Sequence, residues 1–102
     1  MTPEVYVRTV RDLYIGLPIT ADRFTRSDRL LAKNLFQRQI SIQLLKSALF
    51  LATARRLARN PDAPALPPVR SLHYFLPVID EILRHPLPPS YVKYLESKIR
   101  DA

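Results

Sequence analysis

The chain has no cysteine, no tryptophan and a single glycine, Gly16. Without cysteine there is neither a disulfide staple nor thiolate chemistry, which agrees with a reducing compartment. One glycine excludes the phosphate-cradling loops of nucleotide enzymes, which need several residues without a Cβ. It also disfavours tight hairpins, whose turns prefer glycine at positive φ. No apolar run approaches the roughly 20 residues that cross a bilayer, and Ala48–Ala54 is the longest candidate. Met1-Thr2-Pro3-Glu4 lacks the basic start and apolar core of a secretory signal. The expectation is a cytoplasmic protein with no membrane partner.

Proline is plentiful, at ten residues in 102. Most prolines fall between apolar periodic segments, where they punctuate helices. Thr2-Pro3-Glu4 reads as an N-cap, a first helical residue and an acid at the positive end of the dipole. Val5, Tyr6, Val10, Leu13 and Tyr14 then recur at helical spacing, so a helix is expected over residues 3–15, stopped by Gly16 and Pro18. Thr25-Arg26-Ser27-Asp28 has the form of a capping box. It opens a helix over 26–37 whose apolar face is Leu31, Ala32, Leu35 and Phe36. Ser41 caps a third helix over 42–59, apolar nearly all round in its middle, as a helix at the centre of its domain is.

Asn60–Arg70 is expected to be a stiff surface loop, with Pro61, Pro64, Pro67 and Pro68. Ser71 begins a fourth helical segment in which Pro77 predicts a kink or a fresh start. Pro86, Pro88 and Pro89 break the chain, and Ser90 starts a last helix. The fold expected is all-α, five helices in one domain spanning residues 1–102, with the third helix central.

Catalytic and metal chemistry find little support. The histidines are His73 and His85 alone, and a metal site needs three or four converging ligands. No serine sits in a nucleophile elbow. Asp80 and Glu81 are adjacent on a helix and so point about 100° apart. The expectation is a protein that is not an enzyme and needs no cofactor. Pro61-Asp62-Ala63-Pro64 has the PxxP form, but a rigid connector explains it as well. Tyr74 and Phe75 are expected to pack on the third helix with His73 outward, rather than to form a base-stacking platform.

Charge is the strongest functional signal. The net charge is +7, and it arises wholly between residues 22 and 59, while the flanking segments balance to zero. Arg23, Arg26, Arg29, Lys33, Arg38, Lys46, Arg55, Arg56 and Arg59 lie there against Asp22 and Asp28. A localised positive field is the footprint of a polyanion-binding surface. Arg26, Arg29, Lys33, Arg38, Lys46, Arg55, Arg56 and Arg59 are the candidate nucleic-acid-binding residues. The bland reading is a solvated helix face, and for the last three a complement to the helix dipole. Leu35–Ser41 has the grammar of a helix-turn-helix. Against that, Arg38-Gln39 replaces the usual turn glycine and the third helix is too apolar for a groove. Its first turn, with Ser41, Gln43, Lys46 and Ser47, is the part suited to bases.

Ile40-Ser41-xx-Leu44-Leu45-xx-Ala48, followed by Arg70-Ser71-Leu72-x-Tyr74-Phe75-xx-Val78-Ile79-xx-Ile82-Leu83, resembles the C-terminal helical module of DnaD-type replication accessory proteins. The resemblance covers residues 26–84 and consists of spaced apolar positions. It implies a DNA-binding helical module of replication or mobile-element type, favouring DNA over RNA, and transfers no individual residue. The alternative is a protein-interaction module, a homodimer or an adaptor for an acidic protein partner.

Overall fold

A computed structural model describes residues 1–101. It contains five α-helices: α1 (Pro3–Ile15), α2 (Arg26–Gln37), α3 (Ile42–Leu57), α4 (Leu76–Arg84) and α5 (Pro89–Arg100). A short 3-10 helix, Leu72–Phe75, leads into α4. The described residues contain no β-strand, and one isolated parallel bridge joins Thr20 to Val69. The all-α expectation holds.

The starts of α1, α2 and α3 are where the caps place them, whereas α5 opens at Pro89, one residue before the expected Ser90, without a side-chain cap. The Thr2 side chain accepts from the Val5 N–H at 3.2 Å, and Ser41 accepts from Leu44 at 3.1 Å. Thr25 and Asp28 form the full reciprocal capping box. Each arrangement satisfies a backbone donor that the first helical turn leaves free. Pro77 marks a fresh start rather than a kink: the 3-10 helix ends at Phe75 and α4 begins with Leu76-Pro77. There the missing proline N–H costs nothing.

α3 is the hub. It packs against α1, α4, α5 and the 3-10 helix, whereas α2 leans on α1 and on the 3-10 helix. Every residue from Ser47 to Thr53 is buried, so the middle of α3 is enclosed on all sides. Its two buried hydroxyls turn back on the helix: Ser47 donates to the Gln43 carbonyl at 2.9 Å and Thr53 to that of Leu49 at 2.7 Å. Two tyrosines of α1 reach across the core to loop carbonyls. Tyr6 donates to the Ile40 carbonyl at 2.8 Å and Tyr14 to that of Val69 at 3.2 Å. Burial pushes both phenols up to about 12, with the Asp28 charge adding to the effect at Tyr14.

The α2–α3 turn solves its missing glycine with Gln39, the one described residue at positive φ (61°). The Gln39 N–H donates to Phe36 at 2.9 Å and the Ile40 N–H to Leu35 at 3.1 Å. That pair of bonds is a Schellman ending, completed by burial of Leu35 and Ile40 together.

The proline-rich loop departs from its expected role at one residue. Asn60–Pro68 lies on the surface, opened by an Asx turn in which the Asp62 N–H donates to Asn60 Oδ1 at 2.9 Å. Val69 is buried instead. Its N–H donates to the Ile19 carbonyl and its carbonyl accepts from Ala21, both at 2.8 Å. The loop therefore ends in the core, fastened to the α1–α2 connection.

Candidate nucleic-acid interface

The cations of residues 22–59 divide into two groups in space. The first group is engaged within the fold. Arg55 makes a bidentate pair with Glu81 of α4, at 2.9 and 2.6 Å. The pairing raises the Arg55 guanidinium pKa and holds the Glu81 carboxyl below its usual range. Arg56 donates to the Pro67 carbonyl and lies over the Tyr74 ring, 5.7 Å from its centroid. Arg59 donates to the Pro64 carbonyl at 3.2 Å. Arg38 stands 3.9 Å from Asp80, and Lys46 stands 4.0 Å from Glu96 and 5.6 Å from the Phe50 ring centroid.

Arg56 and Arg59 thus hold the proline-rich loop against the end of α3. The loop supplies several carbonyls without matching N–H donors, because proline has none, and the guanidinium groups satisfy two of them. Tyr74 is exposed beneath Arg56, and only Phe75 of the ring cluster is fully buried. Phe75 is buried against the Tyr14 ring of α1, whereas Tyr74 stays half exposed and meets α3 through Arg56.

The second group has no such partners. Among the described residues Arg23, Arg26, Arg29 and Lys33 make no ion pair and no side-chain hydrogen bond. All four are exposed. Arg29 and Lys33 of α2 join Arg8 and Arg11 of α1 in lining a cleft of about 370 Å³. One carboxylate, Glu4, lines the same cleft. Arg26 stands one helical turn before Arg29. Summing charge along the chain passes over Arg8 and Arg11, because Glu4 and Asp12 cancel them locally. The i, i+3 spacing of Arg8 and Arg11 on one face of α1 was the signal available.

The α3 segment after the turn is not free to enter a groove. α5 lies beside it: Lys46 pairs with Glu96, Ser47 is buried, and Gln43, Lys46 and Ser47 share a cleft with Pro89, Val92 and Lys93. α2 and α3 also pack mainly through α1. The arrangement differs from a helix-turn-helix, whose second helix stands clear of its domain.

Comparison with models of protein families, with curated proteins and with solved structures found no match. Among the described residues no helix is long and apolar enough to cross a membrane, and no three His, Cys, Asp or Glu side chains gather as metal ligands.

Proposed function

We propose that the protein is a non-catalytic nucleic-acid-binding module that grips phosphates with the α1–α2 face: Arg8, Arg11, Arg26, Arg29 and Lys33. One observation carries the reading. Four cations from two helices converge on one cleft with a single carboxylate among them, whereas the cations of α3 are engaged by Glu81, Glu96 and the loop. Clustered like charges repel one another, and a polyanion relieves that repulsion. Arginine suits the role because its planar fork matches phosphate oxygens. The contacts are to the backbone of the nucleic acid, so affinity exceeds base discrimination. Service in replication, with DNA as the ligand, belongs to this proposal on the strength of the DnaD-type resemblance alone.

Fluorescence anisotropy with a labelled duplex and a labelled single strand, at two salt concentrations, tests it. Wild-type affinity falls steeply with salt, with a logarithmic slope of about −0.9 for each duplex phosphate neutralised. Arg29→Glu/Lys33→Glu weakens binding to all sequences alike and flattens the slope by about one unit for each phosphate no longer held. Arg8→Glu/Arg11→Glu does the same. Arg56→Gln/Arg59→Gln leaves binding intact. Absence of wild-type binding at low salt overturns the proposal, and loss confined to the α3 variants moves the site to the proline-rich loop.

A further inference from the structure

A second face of the molecule is apolar where the first is charged. Along α5, Tyr91, Tyr94 and Lys98 recur at helical spacing and line a cleft of about 550 Å³ against the C-terminal half of α3. Leu57, Tyr91 and Tyr94 remain 41%, 41% and 53% exposed there. The two tyrosine rings stack with centroids 5.9 Å apart and planes 22° from parallel. Lys98 Nζ caps the stack, 5.6 Å from the Tyr94 centroid. The tyrosines therefore form one preset plate, and side chains already held in place lose little freedom when a ligand arrives. Contiguous apolar surface of this kind marks interaction sites in soluble proteins.

Charge selects among the occupants. No carboxylate lines the cleft, and its cations are Arg55 and Lys98. Arg55 is already paired with Glu81, but Lys98 has no acidic partner among the described residues. Glu96, the acid within α5, is held on the other side of that helix by Lys46 and Arg100. An occupant must bring its own negative charge. A second copy of the chain is poorly suited, because a symmetric contact lays cation against cation on a chain of charge +7. A nucleic acid is poorly suited too. The floor includes the aliphatic Leu51, Leu57 and Leu95, and one unpaired cation holds few phosphates.

We infer that the α3–α5 cleft docks a short acidic segment of a partner protein. An apolar side chain of that segment sits between Leu57 and the tyrosine plate, and a neighbouring carboxylate meets Lys98. The inference is independent of nucleic-acid binding by α1 and α2, and with it the molecule has two separate binding faces.

A random dodecapeptide library displayed on phage, selected on the immobilised full chain, supplies the probe. The enriched peptides are synthesised with a fluorophore and titrated against wild type, Tyr94→Ala, Lys98→Glu and Arg29→Glu/Lys33→Glu. The expected peptides place Asp or Glu beside a large apolar residue. They lose about tenfold affinity or more for Tyr94→Ala and for Lys98→Glu, and keep it for the α2 variant. Both substituted side chains are exposed, and unchanged helical circular dichroism verifies the fold; Lys98→Gln, with an intermediate loss, stands in should either variant unfold. Failure to enrich any peptide, or peptides indifferent to both α5 substitutions, overturns the inference. So does a labelled single strand whose binding is lost in Tyr94→Ala, or a concentration-dependent dimer that disappears in the same variant.

Discussion

The Asp28 carboxylate accepts a hydrogen bond from the backbone N–H of Leu72, 44 residues along the chain, at 2.9 Å. Its other oxygen accepts from the Thr25 N–H at 2.9 Å and from the Thr25 hydroxyl at 3.0 Å. One side chain thus caps α2 and the 3-10 helix together, and it is fully buried. Asp28→Ala removes a cap worth about 1 kcal/mol and strands buried donors at about 1–3 kcal/mol. A loss of about 2–4 kcal/mol in urea unfolding is expected on those terms. Hydrogen exchange at the Leu72 amide should quicken. Asp28→Asn recovers only part of the loss, because its amide presents a donor to donors.

Leu49 lies at the centre of α3 with no exposure. Leu49→Ala should cost about 2–5 kcal/mol through lost transfer energy and the cavity left behind. Leu57→Ala, on the same helix but open to solvent, should stay within about 0.5 kcal/mol of wild type. Thermal unfolding of the two variants side by side measures the contrast, and equal costs would remove α3 from the hub of the fold.

Gln39 holds a φ of 61° with a Cβ that the left-handed region penalises. Gln39→Gly keeps both Schellman bonds and removes that penalty. A gain of about 1 kcal/mol is expected, partly offset by the greater freedom of glycine in the unfolded chain. A raised urea midpoint at an unchanged m-value shows it. Destabilisation would mean that the Gln39 side chain, rather than its backbone, secures the turn.

Tyr6 ties stability to alkaline pH. Burial raises its pKa from 10.0 to about 12, so the folded chain holds the neutral phenol. The stability tied to that phenol is complete below pH 10.0 and is lost as pH rises towards about 12. Tyr14 adds to the loss in the same window. Tyr6→Phe should cost about 0.5–1.5 kcal/mol at neutral pH, since the Ile40 carbonyl loses its donor. It should also make the alkaline decline shallower. Melting temperatures followed from below pH 10.0 up to about 12 measure both effects.

The helices were legible because their signals are local. Thr2, Thr25, Ser41 and the prolines mark the starts, and α1 and α2 have the expected bounds. α3 ends at Leu57, two residues short of the expected end, since Arg59 turns to the loop. The central position of α3 was legible in its unbroken apolar middle. What escaped depends on distant pairings. Asp28 reads locally as an acid in a first turn, and nothing near it announces Leu72. Arg55 and Lys46 read as free cations until Glu81 and Glu96 are folded against them. Arg8 and Arg11 vanish into a balanced segment, although folding sets them beside Arg29 and Lys33 in one cleft. Charge summed along a chain ranks segments, whereas a ligand meets a surface.

The Thr20–Val69 bridge gives the molecule a natural seam. Val69 is fastened to Ile19 and Ala21 just after the exposed Asn60–Pro68 stretch. The chain on either side of that stretch is held across the bridge, through Tyr14, and by α3 against α4 and α5. Cutting the backbone near Ala65 would therefore leave the core packing whole. Two separately expressed fragments, one ending there and one beginning there, have the complementary surfaces to reassemble as a split protein, with Val69 closing the joint.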